Sequence, residues 1–151
     1  MTSVVRQQDV AQRAFASLFD SIRGDMQEVE ELLRLQLRSA DPYVDQLVKH
    51  GFRLGGKRLR PALLLLAGMA CGGTLGPHHI TLAVVMEMIH TATLIHDDVL
   101  DEAELRRHLD TVNAKWGNKS GVLLGDFLFS HAFYLAATTD DAFVCRVIGR
   151  S

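Results

Sequence analysis

Apolar residues recur along most of this chain at the three-to-four-residue spacing of α-helices. The first such stripe predicts a helix from near Val10 that is interrupted at Gly24, and the pattern resumes from Val29 to Leu37. Alternating apolar and polar positions bounded by turn residues, which would indicate strands, do not occur. The pattern therefore predicts an all-α protein.

Punctuating residues divide the middle of the chain into shorter helices. Asp41 followed by Pro42 predicts an N-cap and a first helical turn. The glycine-containing segment 51–56 predicts a break, and Pro61 begins an apolar helix that ends near residues 71–73.

The second half is predicted to contain longer helices. Residues 72–77 form a linker rich in glycine, and a long helix follows over residues 80–104. Residues 106–117 lack clear periodicity and are predicted to be a loop. Further helices are predicted over residues 120–137 and from near Asp141.

Length and composition are those of an ordinary globular protein. The chain has 151 residues, of which 48% are hydrophobic and 23% charged, so disorder is not expected. With 16 Lys and Arg against 18 Asp and Glu the net charge is −2. This balance argues against a nucleic-acid partner, because there is no basic excess to neutralise phosphates.

Compartment and membrane signals are weak. The first residues lack the apolar core of a secretory signal, and the longest uninterrupted apolar run, residues 62–67, is too short to span a bilayer. Cys71 and Cys145 are far apart and are interpreted as buried thiols in a reducing compartment. A cytoplasmic protein without a transmembrane segment is expected.

An acidic cluster gives the strongest chemical signal. Asp97, Asp98 and Asp101 follow an apolar stretch, and the spacing places Asp97 above Asp101 on one helix face. Two stacked carboxylates repel unless a cation lies between them, and Mg²⁺ suits such oxygen ligands. The alternative is a solvated acidic helix end, to which Glu102 and Glu104 would belong. Spacing alone leaves both interpretations open.

Basic residues flank this cluster in the sequence. Arg106 and Arg107 follow it, and Lys57, Arg58 and Arg60 lie at a glycine-rich helix start. A helix N-terminus and the arginine fork both suit phosphate oxygens. For each arginine alone a surface salt bridge is the alternative, but acidic and basic groups together suit a Mg²⁺-diphosphate substrate.

Other residues near the cluster have predicted roles in binding or packing. His90 falls on the same helix face as the first aspartate and could hydrogen-bond a substrate oxygen, the alternative being a core histidine. His96 points elsewhere and is predicted to be structural. Gly121 and Gly125 permit close helix packing, and Trp116 is predicted to anchor the helix ends.

Three segments, taken in order, resemble the trans-isoprenyl diphosphate synthases, the polyprenyl synthetase family. They are GGKRLRP at 55–61, DDVLD at 97–101 followed by RR at 106–107, and GDFL at 125–128. The aspartate motif alone would be weak, whereas the combination is specific. The resemblance implies an isoprenoid-synthase helical bundle with its active site between helices. It also implies condensation of isopentenyl diphosphate with an allylic diphosphate.

The resemblance also implies roles for individual residues. Among three catalytic aspartates, Asp97 and Asp101 would bind Mg²⁺ bridging to the allylic diphosphate, and Asp98 would support them. Arg106 would bind the allylic diphosphate. Four residues match the positions that hold isopentenyl diphosphate, namely Lys57, Arg60, His90 and Arg107.

Product length is predicted from residues just before the first aspartate. In the family, bulky aromatic residues there block the growing chain, and Ala92, Thr93 and Ile89 are not aromatic. This predicts a medium- or long-chain, octaprenyl-type bacterial synthase, of the kind that makes quinone side chains. Phe129 and Phe133 could shorten the tunnel.

The resemblance has one departure. The family's second aspartate-rich motif does not occur in these residues, so residues 1–151 are predicted to form the N-terminal half of one polyprenyl synthetase domain. Such a chain is expected to be inactive alone and to form homo-oligomers, because apolar faces of its later helices would lack partners.

Two alternatives remain at this point. His96-Asp97 resembles the paired ligands of HD-type metal phosphohydrolases, another helical class. The chain could also be a non-catalytic helical partner subunit.

Overall fold

Helices form nearly all the regular structure of the computed structural model, which describes residue 17, residues 19–53 and residues 56–150. An antiparallel hairpin of two short strands is inserted after the longest helix. The all-α prediction is confirmed. The helices are α1 Arg23–Gln36, α2 Pro42–Arg53, α3 Leu59–Ala70, α4 Pro77–Leu100, α5 Val112–Trp116, α6 Asn118–Ala137 and α7 Ala142–Ile148, and the strands are β1 Leu105–Arg106 and β2 Leu109–Asp110.

Helices α4 and α6 make the most extensive contact in the described fold, and α1 and α3 pack against α4. Both long helices contribute many fully buried residues to one apolar core. Gly121 and Gly125 let them approach closely. A Cβ on Gly121 would lie 2.6 Å from Val99 Cγ2, and one on Gly125 would overlap the His96 ring. The predicted role of these glycines in packing is therefore confirmed.

The predicted helix starts at two aspartates are also confirmed. Asp41 Oδ1 accepts hydrogen bonds from the backbone N–H groups of Tyr43, at 2.8 Å, and Val44, at 3.1 Å. Asp141 Oδ1 accepts one from Phe143 N at 2.7 Å. These bonds satisfy N–H groups that have no partner within the helix.

Two predicted helix breaks at glycines are displaced by about two residues. The interruption predicted at Gly24 occurs at Ile22, before α1 begins at Arg23, and within the segment 51–56 the helix α2 continues through Gly51 and ends at Arg53. A Cβ on Gly51 would lie 3.2 Å from both Ile95 Cδ1 and Leu124 Cδ2, so this glycine serves close packing of α2 on α4 and α6. A glycine costs a helix only about 1 kcal/mol, which packing readily offsets. Of the helix predicted from Val10 to Gly24, residues 10–16 and 18 lie outside the described residues.

The segment predicted as a loop at residues 106–117 contains regular structure. The β1–β2 hairpin closes through Arg107 and His108, whose φ angles are 52° and 66°. Positive φ at both central residues is the requirement of a type I′ two-residue hairpin turn. Thr111 then caps α5 by accepting a hydrogen bond from Ala114 N at 3.2 Å. Strands of two residues are too short to produce a readable alternation.

The cysteine prediction is wrong for Cys71, which is exposed, and Cys145 is only partly buried. Cys71 follows the last turn of α3, where the chain leaves the core for the linker before α4. Burial of a thiol there would require a covering element, and none of the described residues supplies one.

By length and composition alone, α4 and α6 could each cross a membrane. The sequence prediction considered uninterrupted apolar runs and so singled out neither. About half of each helix's most apolar window is buried in this fold, 50% for α4 and 44% for α6. Core helices pass the same test, so the finding is weak evidence for a membrane span.

Candidate active site

One cavity of about 440 Å³ brings together four predicted substrate-binding residues from three separate segments. Lys57 and Arg60 lie at the start of α3, His90 lies in the middle of α4, and Arg107 lies at the hairpin turn. Gly56, Arg58, Leu59 and Glu87 complete its lining. A cluster of cationic and imidazole side chains around a cavity is suited to binding a polyanion such as diphosphate.

Gly56 allows the hairpin to reach this cavity. A Cβ added to Gly56 would lie 2.7 Å from Arg107 Nη2 and 3.1 Å from Nη1. The guanidinium of Arg107 therefore lies directly against the glycine backbone, where any larger residue would displace it. Gly55, the first glycine of the motif, lies outside the described residues.

Arg58 joins α3 to two other helices. Its Nε donates to Glu30 Oε1 at 2.6 Å and its Nη1 donates to Glu87 Oε1 at 2.7 Å. Burial opposes the charge of Arg58, but the hydrogen bonds to both glutamates outweigh it and raise the pKa of Arg58. Sequence reasoning missed both glutamates. The available signal was Glu87, a carboxylate in an otherwise apolar stretch of α4.

The aspartate cluster divides into one buried and two exposed carboxylates. Asp98 is 2% exposed. Its Oδ1 accepts hydrogen bonds from Arg106 Nε at 2.9 Å and Nη2 at 2.8 Å, and Nε also lies 3.1 Å from Oδ2. The hydrogen bond to Asp98 raises the pKa of Arg106, with the charges of Asp97 and Asp101 adding to it. Asp97 and Asp101 are exposed and lie one helical turn apart.

The two exposed carboxylates could supply some, but not all, of the ligands of a hard divalent cation. Neither the Asp97 nor the Asp101 carboxylate has a hydrogen bond or ion pair to a residue that the structure describes. Within the described ranges no three His, Cys, Asp or Glu side chains converge to hold a metal ion. Mg²⁺ characteristically takes one or two carboxylates and completes its shell with water and substrate phosphate oxygens. The donor set therefore suits Mg²⁺ bound together with a phosphorylated ligand.

The hairpin that carries Arg106 and Arg107 is tied to the fold at both ends. Thr111 is fully buried, and its Oγ1 donates to Ala103 O at 2.7 Å. His50 Nε2 donates to Asp110 O at 2.7 Å, and the His50 ring meets Trp116 edge-on at 4.9 Å. This contact is consistent with the predicted anchoring role of Trp116, whereas His50 was missed because nothing in its local sequence indicates a partner 60 residues away.

The pKa of His90 is lowered from its ordinary value of 6.5, which favours the neutral imidazole. Burial is the main cause that lowers its pKa, the charge of Arg60 is next, and the charges of Arg106 and Arg107 act in the same direction. The carboxylate of Glu87 acts against them. A neutral imidazole can either donate to or accept from a ligand oxygen.

The polyprenyl synthetase family model matches residues 41–150, a range that includes every residue of this site. The chain belongs to the polyprenyl synthetase family. Within that family it is similar to a geranyl-diphosphate-specific all-trans-nonaprenyl-diphosphate synthase from Rhodobacter capsulatus, with 43% identity over 125 residues. The match covers 83% of this chain and 38% of the relative.

Solved structures of the polyprenyl synthetase fold agree with this assignment. A decaprenyl diphosphate synthase from Rhodobacter capsulatus superposes with a TM-score of 0.82 and 41% identity, covering 89% of this chain and 42% of that one. A polyprenyl synthase from Caulobacter crescentus CB15, complexed with calcium and isoprenyl diphosphate, gives 0.81 and 37%, covering 88% and 40%. The chain thus spans about 40% of the length of these proteins, and the predicted isoprenoid-synthase fold is confirmed over that part.

The residues predicted to set product length in this family member lie in different environments. Thr93 is exposed and lies one turn before Asp97 on the same helix face, with its Oγ1 donating to His90 O at 2.8 Å. Ile89, a further turn back, is half-buried. Ala92 is fully buried in the core, so it does not share the exposed face.

His96 has the structural role predicted for it. Its Nε2 donates to Val122 O at 3.2 Å and lies 3.5 Å from Asp126 Oδ1, while the ring covers Gly125. Because the His96 side chain contacts α6, it does not point with Asp97 towards a common metal ion. The phosphohydrolase alternative is therefore unsupported, and the comparisons give no support to a non-catalytic subunit.

Proposed function

We propose that this chain supplies the isopentenyl-diphosphate site and the first metal-binding motif of a prenyltransferase, which condenses isopentenyl diphosphate with an allylic diphosphate. The observation that carries the proposal is the single cavity lined by Lys57, Arg60, His90 and Arg107. Arg106, held by buried Asp98, is the proposed contact to the allylic diphosphate.

The cationic side chains bind and orient the diphosphate of isopentenyl diphosphate, and neutral His90 donates a hydrogen bond to one of its oxygens. Asp97 and Asp101 are the proposed ligands of a divalent cation, taken to be Mg²⁺, which would offset the negative charge of the departing allylic diphosphate. The Caulobacter relative with calcium and isoprenyl diphosphate supports a divalent cation here.

The proposed chemistry is an ionisation followed by an addition. The allylic C–O bond breaks with both electrons leaving on the diphosphate, whose charge Arg106 helps to stabilise. The double bond of isopentenyl diphosphate then attacks the allylic carbocation, and a proton is lost to restore a double bond. The departing diphosphate is the proposed proton acceptor, so the chain needs no dedicated base.

Product length is proposed to be medium or long, of octaprenyl type. Exposed Thr93 and half-buried Ile89, both non-aromatic, leave the surface before Asp97 free of bulky rings. The names of the relatives, a nonaprenyl and a decaprenyl synthase, point the same way.

Calorimetric titration with isopentenyl diphosphate tests the binding part of this proposal. Arg60→Met is expected to weaken binding about tenfold or more, since a charged hydrogen bond contributes about 1.5–3 kcal/mol. Arg146→Met on α7, an exposed arginine outside the cavity, is the matched control and should bind like wild type. Absence of binding to the wild-type chain, or equal losses in both variants, would reject the proposal.

Synthase activity of this chain by itself is expected to be negligible. The sequence contains one motif of the DDxxD form, and two exposed carboxylates alone do not neutralise a departing diphosphate. The assay is incorporation of labelled isopentenyl diphosphate into prenyl products with Mg²⁺ and an allylic primer. Efficient incorporation by a purified chain of 16.7 kDa would contradict the expectation.

We further propose a cytoplasmic homo-oligomer. Large apolar side chains of α6 and α7 are exposed, among them Leu123 at 65%, Tyr134 at 64% and Phe143 at 64%. Light scattering coupled to gel filtration should give a multiple of the chain mass, and a strictly monomeric species at micromolar concentration would refute it. Recovery of the chain from the membrane rather than the cytosolic fraction would refute the proposed location.

A further inference from the structure

The cationic cavity contains one side chain with a negative charge, which is unfavourable in a site for diphosphate. Glu87 lines it together with Lys57, Arg60, His90 and Arg107. Its side chain is 4% exposed, so water screens its charge poorly. An uncompensated carboxylate at this position would repel the phosphate oxygens that its neighbours are placed to attract.

Arg58 provides the compensation. Its Nη1 lies 2.7 Å from Glu87 Oε1, and its own side chain is only 18% exposed. The same guanidinium binds Glu30 of α1 through Nε at 2.6 Å, so it is held from two sides. Glu30 does not line the cavity, and its side chain is 41% exposed.

The backbone conformation of Arg58 also helps to form the cavity. Its φ of 52° and ψ of 36° place it in the left-handed region, directly before α3 begins at Leu59. Non-glycine residues adopt this conformation only where surrounding contacts hold them there. The turn brings Lys57, on one side of Arg58, and Arg60, on the other, to the same cavity.

We propose that Arg58 is a positioning residue for diphosphate binding, which neutralises buried Glu87 and thereby keeps the cavity formed with Lys57 and Arg60 positive. The inference rests on the proposed function, because it concerns the same site. Arg58 also lines the cavity, and the proposed role is exerted through Glu87, which its guanidinium binds, rather than by contact with the substrate. If the salt bridge between α1, α3 and α4 were purely structural, its removal would lower the stability of the fold and leave the affinity for diphosphate unchanged.

Removing the two charges singly and together distinguishes these roles. Arg58→Met is expected to weaken binding of inorganic diphosphate and of isopentenyl diphosphate about tenfold or more, as expected for one uncompensated negative charge near a bound polyanion. Arg58→Met with Glu87→Gln should recover most of that loss, because the repelling carboxylate is gone. Glu87→Gln alone removes the repelling carboxylate and should bind diphosphate at least as tightly as wild type. Glu30→Gln, outside the cavity, should bind within about threefold of wild type, a change of under 1 kcal/mol.

Two further variants separate affinity from folding. Arg58→Lys keeps the positive charge but loses the two-armed contact, so it should lower the melting temperature and keep affinity within about threefold. Leu135→Ala in the distant end of α6 should also lower the melting temperature without changing affinity. If Arg58→Met does not fold, Arg58→Gln, which removes the charge but keeps a hydrogen-bond donor for Glu87, still tests whether charge at this position governs binding.

The outcomes are separable. The inference is overturned if Arg58→Met binds diphosphate like wild type, if the double variant is as weak as Arg58→Met, or if Arg58→Lys is as weak as Arg58→Met. Wild-type binding of inorganic diphosphate without binding of isopentenyl diphosphate would reject the proposed function and leave this inference standing on the diphosphate data. A wild-type chain that binds neither ligand would overturn both.

Discussion

The buried pair between Asp98 and Arg106 makes an asymmetric prediction about stability. The Asp98 side chain is 3% exposed, whereas the Arg106 side chain is 29% exposed. Arg106→Met leaves a carboxylate that is buried, charged and without its partner, close to the charges of Asp97 and Asp101. Asp98→Asn instead leaves a guanidinium that water can reach, and it lowers the negative charge of the cluster.

The expected magnitudes differ accordingly. Removing one partner from a buried pair costs about 3–5 kcal/mol when the remaining charge is uncompensated. Asp98→Asn keeps an acceptor for Arg106 and should cost about 1–2 kcal/mol, the loss of charge assistance in a hydrogen bond. At roughly 2–4 °C per kcal/mol for a chain of this size, Arg106→Met should lower the melting temperature by about 6–20 °C.

Urea denaturation followed by circular dichroism at pH 7.5 and 25 °C measures both losses. The matched control is Arg23→Met, which removes the exposed ion pair of Arg23 with Asp20 and should leave the midpoint unchanged. The reasoning is refuted if Asp98→Asn destabilises the protein as much as Arg106→Met, or if Arg106→Met resembles the control.

Three other predictions concern the hairpin, its neighbours and pH. Gly56→Ala should change the unfolding free energy by less than about 0.5 kcal/mol, because the clashing Arg107 guanidinium can move away. The same displacement should weaken isopentenyl diphosphate binding several-fold in calorimetry. Unchanged affinity would show that the position of Arg107 is unimportant for binding. His108→Gly should raise the urea-derived unfolding free energy by about 1 kcal/mol by relieving a φ of 66°, and a decrease would contradict this. Burial lowers the pKa of His131 from its ordinary 6.5, so below that pH the unfolded chain binds a proton that the folded chain does not. Stability contributed by neutral His131 is therefore present above pH 6.5 and lost as the pH falls through the lowered pKa of the folded state. The urea midpoint of His131→Gln should fall less on acidification below pH 6.5 than that of wild type.

The helices were predictable from the sequence, which also proposed the candidate site residues. Helical periodicity records which side of a segment is buried, and caps such as Asp41 and Asp141 act on N–H groups two or three residues away. The site residues were assigned by resemblance, because spacing along the chain left each arginine open to a surface interpretation. The cavity shared by Lys57, Arg60, His90 and Arg107 agrees with that assignment.

Other features were decided only by the tertiary structure. Gly51 serves close packing inside α2, which ends two residues later at Arg53, because Ile95 and Leu124 lie against it from distant segments. The β1–β2 hairpin is held by contacts such as that from His50, since strands of two residues have too few bonds of their own.

The chemistry of the acidic residues likewise depended on depth of burial. Adjacent Asp97 and Asp98 differ completely, one exposed and one paired with Arg106, because helical geometry points neighbouring side chains in different directions. Glu87 and Arg58 are 29 residues apart and meet only because α3 packs on α4. Local sequence determines which groups a helix presents, and packing between helices determines which charges are screened, paired or left free to bind a ligand.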